Sequence, residues 1–264
     1  MSSKNNFIIE VNAIKKIFTT ETGDTEILKG ITAQITKGDF VLIVGPSGCG
    51  KSTLLHTLLG LEPPSSGSII VDGNDFYSMS EDERAIFRRH YVGIIYQQPL
   101  WIESLNVIEN VSFPLHLLDE KEEEINRKAH EALAMVGLDE WATYVPKELS
   151  SGQQQKISLA RVLTLDPMII VADEPTGNLD SVSGQELIDT FMRLVDKGKT
   201  VIMVTHNLEY LKFATCIFHM IDGQIVEQES VHKKKGSSLK RGQDISEDVS
   251  IRDKEFLKKV KLHT

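Results

Sequence analysis

Hydrophobic residues follow two patterns along the chain. Largely apolar runs at Phe40–Val44, Met168–Ala172 and Thr200–Val204 are continuous and predict strands, and the second of them is typical of a buried parallel strand. Phe7–Phe18 and Thr25–Thr36 alternate apolar and polar residues around a short polar turn, which predicts an antiparallel pair. Together the two patterns predict an α/β protein with a mixed sheet.

Helix signals dominate the middle of the chain, from Pro99 to Lys147. The segment Glu122–Met135 predicts a helix, and Pro114 and Gly137 predict breaks on either side of it. We therefore expect a helical arm that interrupts the sheet core.

A glycine-rich loop follows the first apolar run and opens into a helix start. Glycine adopts conformations closed to other residues, so consecutive N–H groups can turn toward phosphate oxygens at the positive end of that helix. Lys51 adds a cation for the β- and γ-phosphates, and the Ser52 hydroxyl suits Mg²⁺, which prefers oxygen ligands. An ordinary glycine-rich turn is the alternative, but this spacing arises by chance only on the order of once in a hundred such chains. The predicted loop comprises Gly45, Pro46, Ser47, Gly48, Cys49, Gly50, Lys51, Ser52 and Thr53.

Two acids, Asp173 and Glu174, end the run Met168–Ala172. Because ligands of open α/β sheets bind at the carboxyl ends of the strands, we expect both carboxylates at the nucleotide. Asp173 is predicted to hold Mg²⁺ through water, and Glu174 to polarise a water in line with the γ-phosphate. The alternative is that the two acids only cap the next turn. The phosphate loop upstream makes this alternative weaker than a nucleotide site.

Residues 149–153, Leu-Ser-Ser-Gly-Gln, resemble the signature segment of the ATP-binding-cassette (ABC) ATPases. The resemblance continues at Gln97 (the family's Q-loop), at Asn178-Leu179-Asp180 (its D-loop) and at His206 (its switch histidine), all in family order from Asn6 to about Glu229. It implies a phosphate-loop ATPase fold of ABC type, with a mixed-sheet core, an antiparallel β subdomain and an inserted α-helical subdomain.

The resemblance also implies how the site works. Two ATP molecules are sandwiched between two cassettes, so the signature segment of one copy serves the ATP bound by the other. It implies catalytic roles for Glu174, His206 and Gln97, and Mg²⁺ binding by Ser52, Gln97 and Asp173. The residues expected to contact ATP are Phe18, Gly45, Pro46, Ser47, Gly48, Cys49, Gly50, Lys51, Ser52, Thr53, Ser150, Ser151, Gly152, Gln153 and Asp180.

Three positions depart from the family pattern. Ser151 replaces the first signature glycine, which matters if that position needs a positive φ. Lys156 replaces an arginine and exchanges a planar fork for a point charge. Phe18 stands where the family has an adenine-stacking aromatic, usually Tyr; it keeps the π face, and a plain core role is the alternative.

Cys49 inside the loop is expected to be a small filler, with redox control as the alternative.

Composition sets limits on the class of protein. A chain of 264 residues with 41% hydrophobic residues can bury one large α/β domain or two small ones. Its two cysteines lack motif spacing, which predicts no disulfide framework and a reducing compartment. No apolar stretch approaches the ~20 residues that span a bilayer, and the first residues lack a signal-peptide core. We therefore expect a cytoplasmic protein, and the resemblance to ABC ATPases implies that it lies peripherally on the inner face of the membrane through a permease.

Charge separates the end of the chain from the rest. Residues 231–264 carry ten Lys or Arg and five acids, whereas the whole chain has a net charge of −9. We predict an ATPase domain at 1–230, with its helical subdomain at about 97–155, and a basic extension at 231–264. The extension is either a linker with a short amphipathic helix that touches anionic lipid or a permease, or a solubilising tail.

The string from Ala172 to Ser181 looks most like the branch with macrolide exporters, lipoprotein-releasing complexes, peptide-antibiotic resistance pumps and the cell-division ATPase. We expect an ATPase subunit that forms a homodimer and drives a separate transmembrane permease in export, extraction or detoxification of an amphipathic substrate. One alternative is a mechanotransmitting ATPase that translocates nothing. Another is a soluble cassette protein that acts on ribosomes or DNA, which the acidic core disfavours. We expect no nucleic-acid partner.

Overall fold

A computed structural model of the protein describes residues 6–21, 23–118 and 120–230. The extension predicted at 231–264 lies outside these residues. The chain divides into two compact units. The first contains the described residues up to Ser80 and from Ile202 onward, and the second contains Glu81–Val201.

The two units consist of strands, α-helices and short 3₁₀ helices. Short 3₁₀ helices occupy Asp139–Trp141, Pro146–Glu148 and Leu208–Phe213. The strands and α-helices are β1 (Phe7–Thr20), β2 (Gly23–Thr36), β3 (Phe40–Val44), α1 (Lys51–Leu58), β4 (Ser66–Val71), β5 (Asn74–Asp75), α2 (Glu81–Tyr91), β6 (Val92–Ile95), α3 (Val107–His116), α4 (Glu122–Met135), α5 (Ser151–Leu163), β7 (Ile169–Asp173), α6 (Ser181–Asp196), β8 (Thr200–Val204), β9 (Cys216–Ile221) and β10 (Gln224–Ser230).

An antiparallel sheet in the order β2-β1-β4-β5 belongs to the first unit. Strands β1 and β2 pair from Phe7 opposite Thr36 to Thr20 opposite Gly23, so the predicted antiparallel pair is confirmed. The alternation in the sequence follows from this sheet, because apolar side chains such as Ile14 are buried while their neighbours along the strand face water.

A second set of strands in the first unit runs in the order β10-β9-β3-β8. Strand β3 is buried along its whole length and pairs in parallel with β9, from Val41 opposite Cys216 to Val44 opposite His219. Both faces of such a strand are covered, which explains the continuous apolar run. The loop after Val44 therefore leaves from the carboxyl end of a rigid, buried strand.

The second unit combines a short parallel pair with a group of helices. Strands β6 and β7 pair from Val92 opposite Ile169 to Ile95 opposite Ala172, which confirms the predicted buried parallel strand. The N–H of Thr200, the first residue of β8, donates to the Met168 carbonyl at 3.0 Å. Helices α3, α4 and α5 pack on one another through buried side chains that include Val111, Leu115, Ala129, Leu133 and Ile157.

Helix α4 ends where the sequence predicts a break, at Gly137. Gly137 has φ +74°, and its N–H donates to the Ala134 carbonyl at 3.0 Å. The next N–H, from Leu138, reaches the Leu133 carbonyl at 3.0 Å, which completes the usual glycine-terminated helix end. A residue with a side chain is strained at this φ, so glycine marks the boundary.

The break predicted at Pro114 is wrong, because α3 continues through it to His116. Proline removes only its own hydrogen bond to the Asn110 carbonyl, and the helix ends soon afterwards, so the loss is confined to the last turn. The start of α3 is well secured. The Asn106 side chain accepts from the Glu109 N–H at 2.9 Å, and Glu109 accepts from the Asn106 N–H at 2.8 Å.

Gly93 in β6 supplies a test of the packing against α5. A Cβ at this position would lie 2.0 Å from Val162 Cγ1 and 3.2 Å from Pro167 Cγ. We expect Gly93→Ala to lower the free energy of unfolding, measured in urea, by ~1–3 kcal/mol because it overpacks this contact.

The control for this substitution removes the colliding methyl group. Gly93→Ala combined with Val162→Ala should be more stable than Gly93→Ala alone, since the two sites are in contact and their effects do not add. A Gly93→Ala protein as stable as the wild type would contradict the close approach.

Candidate functional site

The phosphate loop occupies the connection between β3 and α1 in the first unit. Gly45 lies against strand β9, where a Cβ would be 2.2 Å from the Met220 carbonyl oxygen, so no side chain fits. Gly50 directly precedes the helix with φ +99°, a conformation that other residues rarely adopt. These two glycines set the path of the loop from the strand to the helix.

The end of this loop fits an anion. No side chain caps the first turn of α1, whose N–H groups carry the positive end of the helix dipole. Lys51 is only 8% exposed, and its Nζ donates to the carbonyls of Gly45 at 2.9 Å and Pro46 at 2.8 Å. The ammonium group therefore lies over the loop that precedes α1. Ser52 is exposed in the same turn.

Cys49 points into the protein from this loop. Its side chain is 5% exposed, its N–H donates to the Pro46 carbonyl at 3.4 Å, and its carbonyl accepts from the Gly223 N–H at 3.0 Å. Burial raises the pKa of its thiol, although the positive charge of Lys51 opposes that rise. These facts agree with the small-filler interpretation, because the reactive thiolate is disfavoured.

Phe18 lies near the end of β1 and is 37% exposed. Lys16 Nζ lies 4.8 Å from the centre of its ring. That ammonium also donates to the Pro63 carbonyl at 2.7 Å and pairs with Glu62. Lys16 therefore supports a ring that still offers surface for stacking.

His206 leaves the sheet on the same edge as the phosphate loop. It follows β8 by two residues and is exposed. The preceding residue, Thr205, is fully buried, and its N–H donates to the Ile43 carbonyl near the end of β3 at 3.2 Å. The Thr205 hydroxyl in turn accepts from the Asn207 N–H at 3.0 Å. His206 thus stands between two anchored residues.

Asp173, Glu174 and Gln97 belong to the second unit. Asp173 ends β7, and Glu174 follows it in the left-handed region with φ +48°, which is uncommon for a residue with a side chain. The Gly177 N–H closes the turn onto the Glu174 carbonyl at 3.0 Å. A Cβ on Gly177 would lie 2.7 Å from Gln97 Nε2, so the missing side chain admits the Gln97 amide beside the acidic turn. The structure therefore brings the Gln97 amide to the turn that follows Glu174.

Ser150 caps the signature helix α5. Its hydroxyl accepts from the Gln153 N–H at 3.3 Å, and its N–H donates to Gln153 Oε1 at 2.9 Å. Ser151 is the first helical residue and has no positive φ, so the departure from glycine causes no strain. Gln153, predicted to contact nucleotide, has its side chain in this reciprocal cap.

Gly152 makes the contact between α5 and α6. A Cβ here would lie 2.5 Å from Ser183 Oγ and 2.8 Å from Ser183 Cβ. Ser183 in turn bonds Asp180, the cap of α6: Asp180 accepts from the Ser183 N–H at 2.9 Å and from the Ser183 hydroxyl at 2.9 Å. These bonds hold the pKa of Asp180 below its usual range. Ser183 was not predicted, although a serine three residues after an acidic cap is its signal.

Lys156, the second departure from the family pattern, pairs with Glu186 on α6. Its Nζ lies 2.6 Å from Glu186 Oε2. The lysine ammonium therefore makes a second contact between α5 and α6.

A strand, a glycine loop with an uncapped helix and a second strand that ends in two acids define a phosphate-loop ATPase. The sequence pattern of the ABC transporter family matches residues 28–177, and the chain belongs to that family. It is an ATP hydrolase of the ABC type, a transporter cassette that binds ATP. The described residues include no helix long and apolar enough to cross a membrane.

Relatives agree with the branch that the sequence indicates. An uncharacterized ABC transporter ATP-binding protein of Methanocaldococcus jannaschii is 47% identical over 221 residues, 83% of this chain and 98% of that protein. A lipoprotein-releasing system ATP-binding protein of Hyphomonas neptunium is 36% identical over 83% of this chain and 97% of its own length. A macrolide export ATP-binding/permease protein of Bdellovibrio bacteriovorus is 44% identical over 84% of this chain, which spans 34% of that longer protein.

Solved structures agree with the fold. A bacterial ABC transporter cassette solved as a dimer has a TM-score of 0.79 and 34% identity, covering 85% of this chain and 99% of its own. The same cassette in a post-hydrolysis state, bound to ADP and Pi, has a TM-score of 0.79 and 33% identity over the same shares. The predicted fold class, with its antiparallel sheet and helical elements, is confirmed.

The thiol of Cys49 gives a pH-dependent test. Because its pKa is raised in the folded protein, the neutral thiol contributes stability that is present at low pH and is lost as pH rises through the folded pKa. We expect Cys49 in the folded chain to react with iodoacetamide at pH 8 more slowly than in urea, measured by mass spectrometry in a Cys216→Ser background.

The redox alternative has its own outcome. ATP hydrolysis should be insensitive to peroxide, since the thiolate is the species that peroxide oxidises. Inhibition by peroxide that a thiol reductant reverses, and that Cys49→Ser abolishes, would contradict the filler interpretation.

Proposed function

We propose that this chain is the ATPase subunit of a membrane complex, in which two copies close on two Mg-ATP and drive a separate permease. The observation that carries the proposal is the presence of two helix starts that suit phosphate. One follows the phosphate loop at Lys51 with no side-chain cap, and the other is the signature helix, which begins after Ser150. One nucleotide needs a single phosphate loop, so the second start is available to the ATP of a partner copy.

The first unit carries the phosphates and the adenine. Lys51 and the loop N–H groups from Gly45 to Thr53 hold the phosphate oxygens, and Phe18 stacks on the base. Lys51 already lies over the loop in the structure, so binding exchanges two carbonyl acceptors for phosphate oxygens. His206 senses the γ-phosphate from the same edge of the sheet.

Metal binding follows from the donor set. The Ser52 hydroxyl, the Gln97 amide oxygen and the Asp173 carboxylate are oxygen ligands of the kind that Mg²⁺ takes in nucleotide sites. Bound Mg²⁺ neutralises charge on the β- and γ-phosphates. Ser52 and Gln97 are exposed and Asp173 is half-buried, so all three side chains are accessible.

Glu174 is the general base in this proposal. Its left-handed backbone turns the chain away from the direction of β7, and Gly177 in the same turn leaves room for the Gln97 amide. Glu174 takes a proton from water as that water attacks the γ-phosphorus, the bond from the γ-phosphorus to the β–γ bridging oxygen breaks, and ADP leaves with that oxygen. Gln97 helps to orient the attacking water.

Ser150 and Gly152 act on the ATP of the partner copy, together with Ser151 and Gln153. The Ser150 oxygen accepts from the Gln153 N–H, and its own proton is then directed to a phosphate oxygen. Asp180 supports this surface by ordering Ser183 behind Gly152. The cassette solved as a dimer supports pairing of this chain with a second copy.

The membrane partner is a separate permease, which makes this chain a cytoplasmic protein peripheral on the inner face of the membrane. Lipoprotein release and macrolide export, the processes in the names of two relatives, support an amphipathic substrate. Trp101, Ile102 and Leu105, which follow Gln97, are the candidate contacts with the permease, and plain packing within the helical arm is the alternative. Ile102 is exposed whereas Trp101 and Leu105 are half-buried, so Ile102 offers the freest surface for docking.

The domain division stays as predicted from the sequence. We retain an ATPase domain at 1–230 with a helical subdomain at about 97–155 and an extension at 231–264.

Replacement of the proposed base tests the mechanism. Glu174→Gln removes the carboxylate and keeps the side-chain size, so we expect kcat for ATP hydrolysis to fall about 10²–10⁴-fold while ATP still binds. The trapped ATP-bound dimer should elute ahead of the monomer in size-exclusion chromatography with ATP and Mg²⁺.

Glu123→Gln, on the exposed start of α4, is the matched control and should hydrolyse ATP at the wild-type rate. Rapid turnover by Glu174→Gln without a dimer would refute this role for Glu174.

Purification from native membranes tests the partner. The tagged chain, solubilised in detergent, should carry a permease with a large extracytoplasmic domain, identified by mass spectrometry. Transport of an amphipathic substrate by the reconstituted complex is expected, and ATP hydrolysis without transport would instead favour the mechanotransmitting alternative. Recovery of only soluble partners with active ATP hydrolysis would contradict the membrane complex.

A further inference from the structure

Two backbone carbonyls after strand β6 are held by side chains of the signature helix. The segment 96–101 contains Gln97 and leaves the sheet without regular secondary structure. Gln155, only 1% exposed, donates from Nε2 to the Tyr96 carbonyl at 2.9 Å. Arg161 donates from Nη1 to the Leu100 carbonyl at 2.6 Å. Helix α5 thus replaces the partners that a strand would have provided.

Trp101 makes a third and a fourth contact with the same helix. Its Nε1 donates to Gln154 Oε1 at 3.1 Å, and the Arg161 guanidinium carbon lies 5.1 Å from the ring centre. Gln154 and Arg161 are two turns apart, about 10 Å along the helix axis. Two side chains of α5 therefore hold the indole, one at its N–H and one over its ring.

The contacts extend to the signature segment itself. Gln154 accepts from Trp101 and donates from Nε2 to the Leu149 carbonyl at 3.0 Å. Leu149 directly precedes Ser150, the cap of α5. A displacement of the indole therefore acts on the residue before the signature serine through a single amide.

Arginine is suited to its place in this cluster. The guanidinium is planar, so it stacks on the indole while one edge donates to the Leu100 carbonyl. A lysine ammonium would make the hydrogen bond but would lack the flat face. The cluster uses the specific chemistry of each side chain, which a general packing role does not require.

We propose that Gln154 and Arg161 are positioning residues for ATP hydrolysis, which hold the segment 96–101 on α5 so that Gln97 and Ser150 move as one body. The proposal rests on the proposed function, in which Gln97 serves the nucleotide of its own copy and Ser150 serves that of the partner. Neither Gln154 nor Arg161 touches reactants. The clamp, defined as Trp101, Gln154, Gln155 and Arg161, keeps the two sites in register as the cassettes close.

The experiment uses the whole chain with Trp141→Phe, which leaves Trp101 as the sole tryptophan because the chain has two. The variants are Gln154→Leu, Trp101→Phe, their combination, and Arg161→Met. Arg127→Met is the matched control, since Arg127 pairs with Glu124 and Glu131 on the exposed surface of α4 in the same unit. The readouts are kcat and KM for ATP, Kd for a fluorescent ATP analogue, and the emission maximum of Trp101.

We expect Gln154→Leu and Arg161→Met to lower kcat about tenfold, while Kd for the analogue stays within about twofold because the phosphate loop is untouched. Arg127→Met should match the parent. Trp101→Phe and Gln154→Leu remove the same hydrogen bond, so their combination should lower kcat no further than the stronger single change.

The emission of Trp101 tests the rigid-body part of the proposal. In a Glu174→Gln background the emission maximum should stay the same with and without ATP, because the indole remains held. A red shift with ATP would show that the indole is released to water and would overturn the clamp.

Two kinetic outcomes would also overturn the proposal: kcat within twofold of the parent for Gln154→Leu and Trp101→Phe, or a loss of kcat that a matching rise in Kd accounts for. If Arg161→Met does not fold, those two variants carry the test. ATP hydrolysis and dimer trapping by the parent are measured separately, so a failed clamp leaves the proposed function standing.

Discussion

The first turn of an α-helix carries N–H groups with no acceptor inside the helix, and the candidate site depends on how three helices meet that constraint. Helix α1 follows Gly50 without a side-chain cap, whereas the Ser150 hydroxyl caps α5 and the Asp180 carboxylate caps α6. The uncapped start leaves all of its first-turn N–H groups to an anion, whereas a side-chain cap takes up one or two of them and fixes where the chain enters the helix. One physical requirement thus accounts for the phosphate loop before α1, the signature segment before α5 and the Asp180 cap of α6.

Close approach to a polar side chain is the second requirement, and Gly152 and Gly177 meet it in the second unit. Gly152 lets the start of α5 contact Ser183, and Gly177 lets the Gln97 amide reach the turn after Glu174. At both positions a methyl group would meet a polar side chain at less than 3 Å. The lack of a side chain at these two glycines therefore leaves room for the Ser183 hydroxyl and the Gln97 amide. Motif matching does not explain this feature.

Much of the local structure follows from local chemistry. The strand at Phe40–Val44, the helix at Glu122–Met135 and its end at Gly137 were all predictable. The spacing of apolar residues and the backbone conformation of glycine depend only on a few neighbouring residues. Pro114 was misjudged, since a proline near a helix end costs little once tertiary packing holds the helix. Trp101 shows the limit of this reasoning, because its partners lie 53 and 60 residues further along the chain.

The sequence by itself determined the class of protein, the order of its motifs and the residue types able to hold phosphate, metal and water, because these depend on short spacings and on side-chain chemistry. Only the tertiary structure decided that Gly152 lies against Ser183, that Gly177 admits the Gln97 amide, and that Gln154 and Arg161 hold Trp101. The reason is physical. Close approaches and clamps are made by atoms that meet only after distant segments pack together, and no local pattern encodes which side chain will be there.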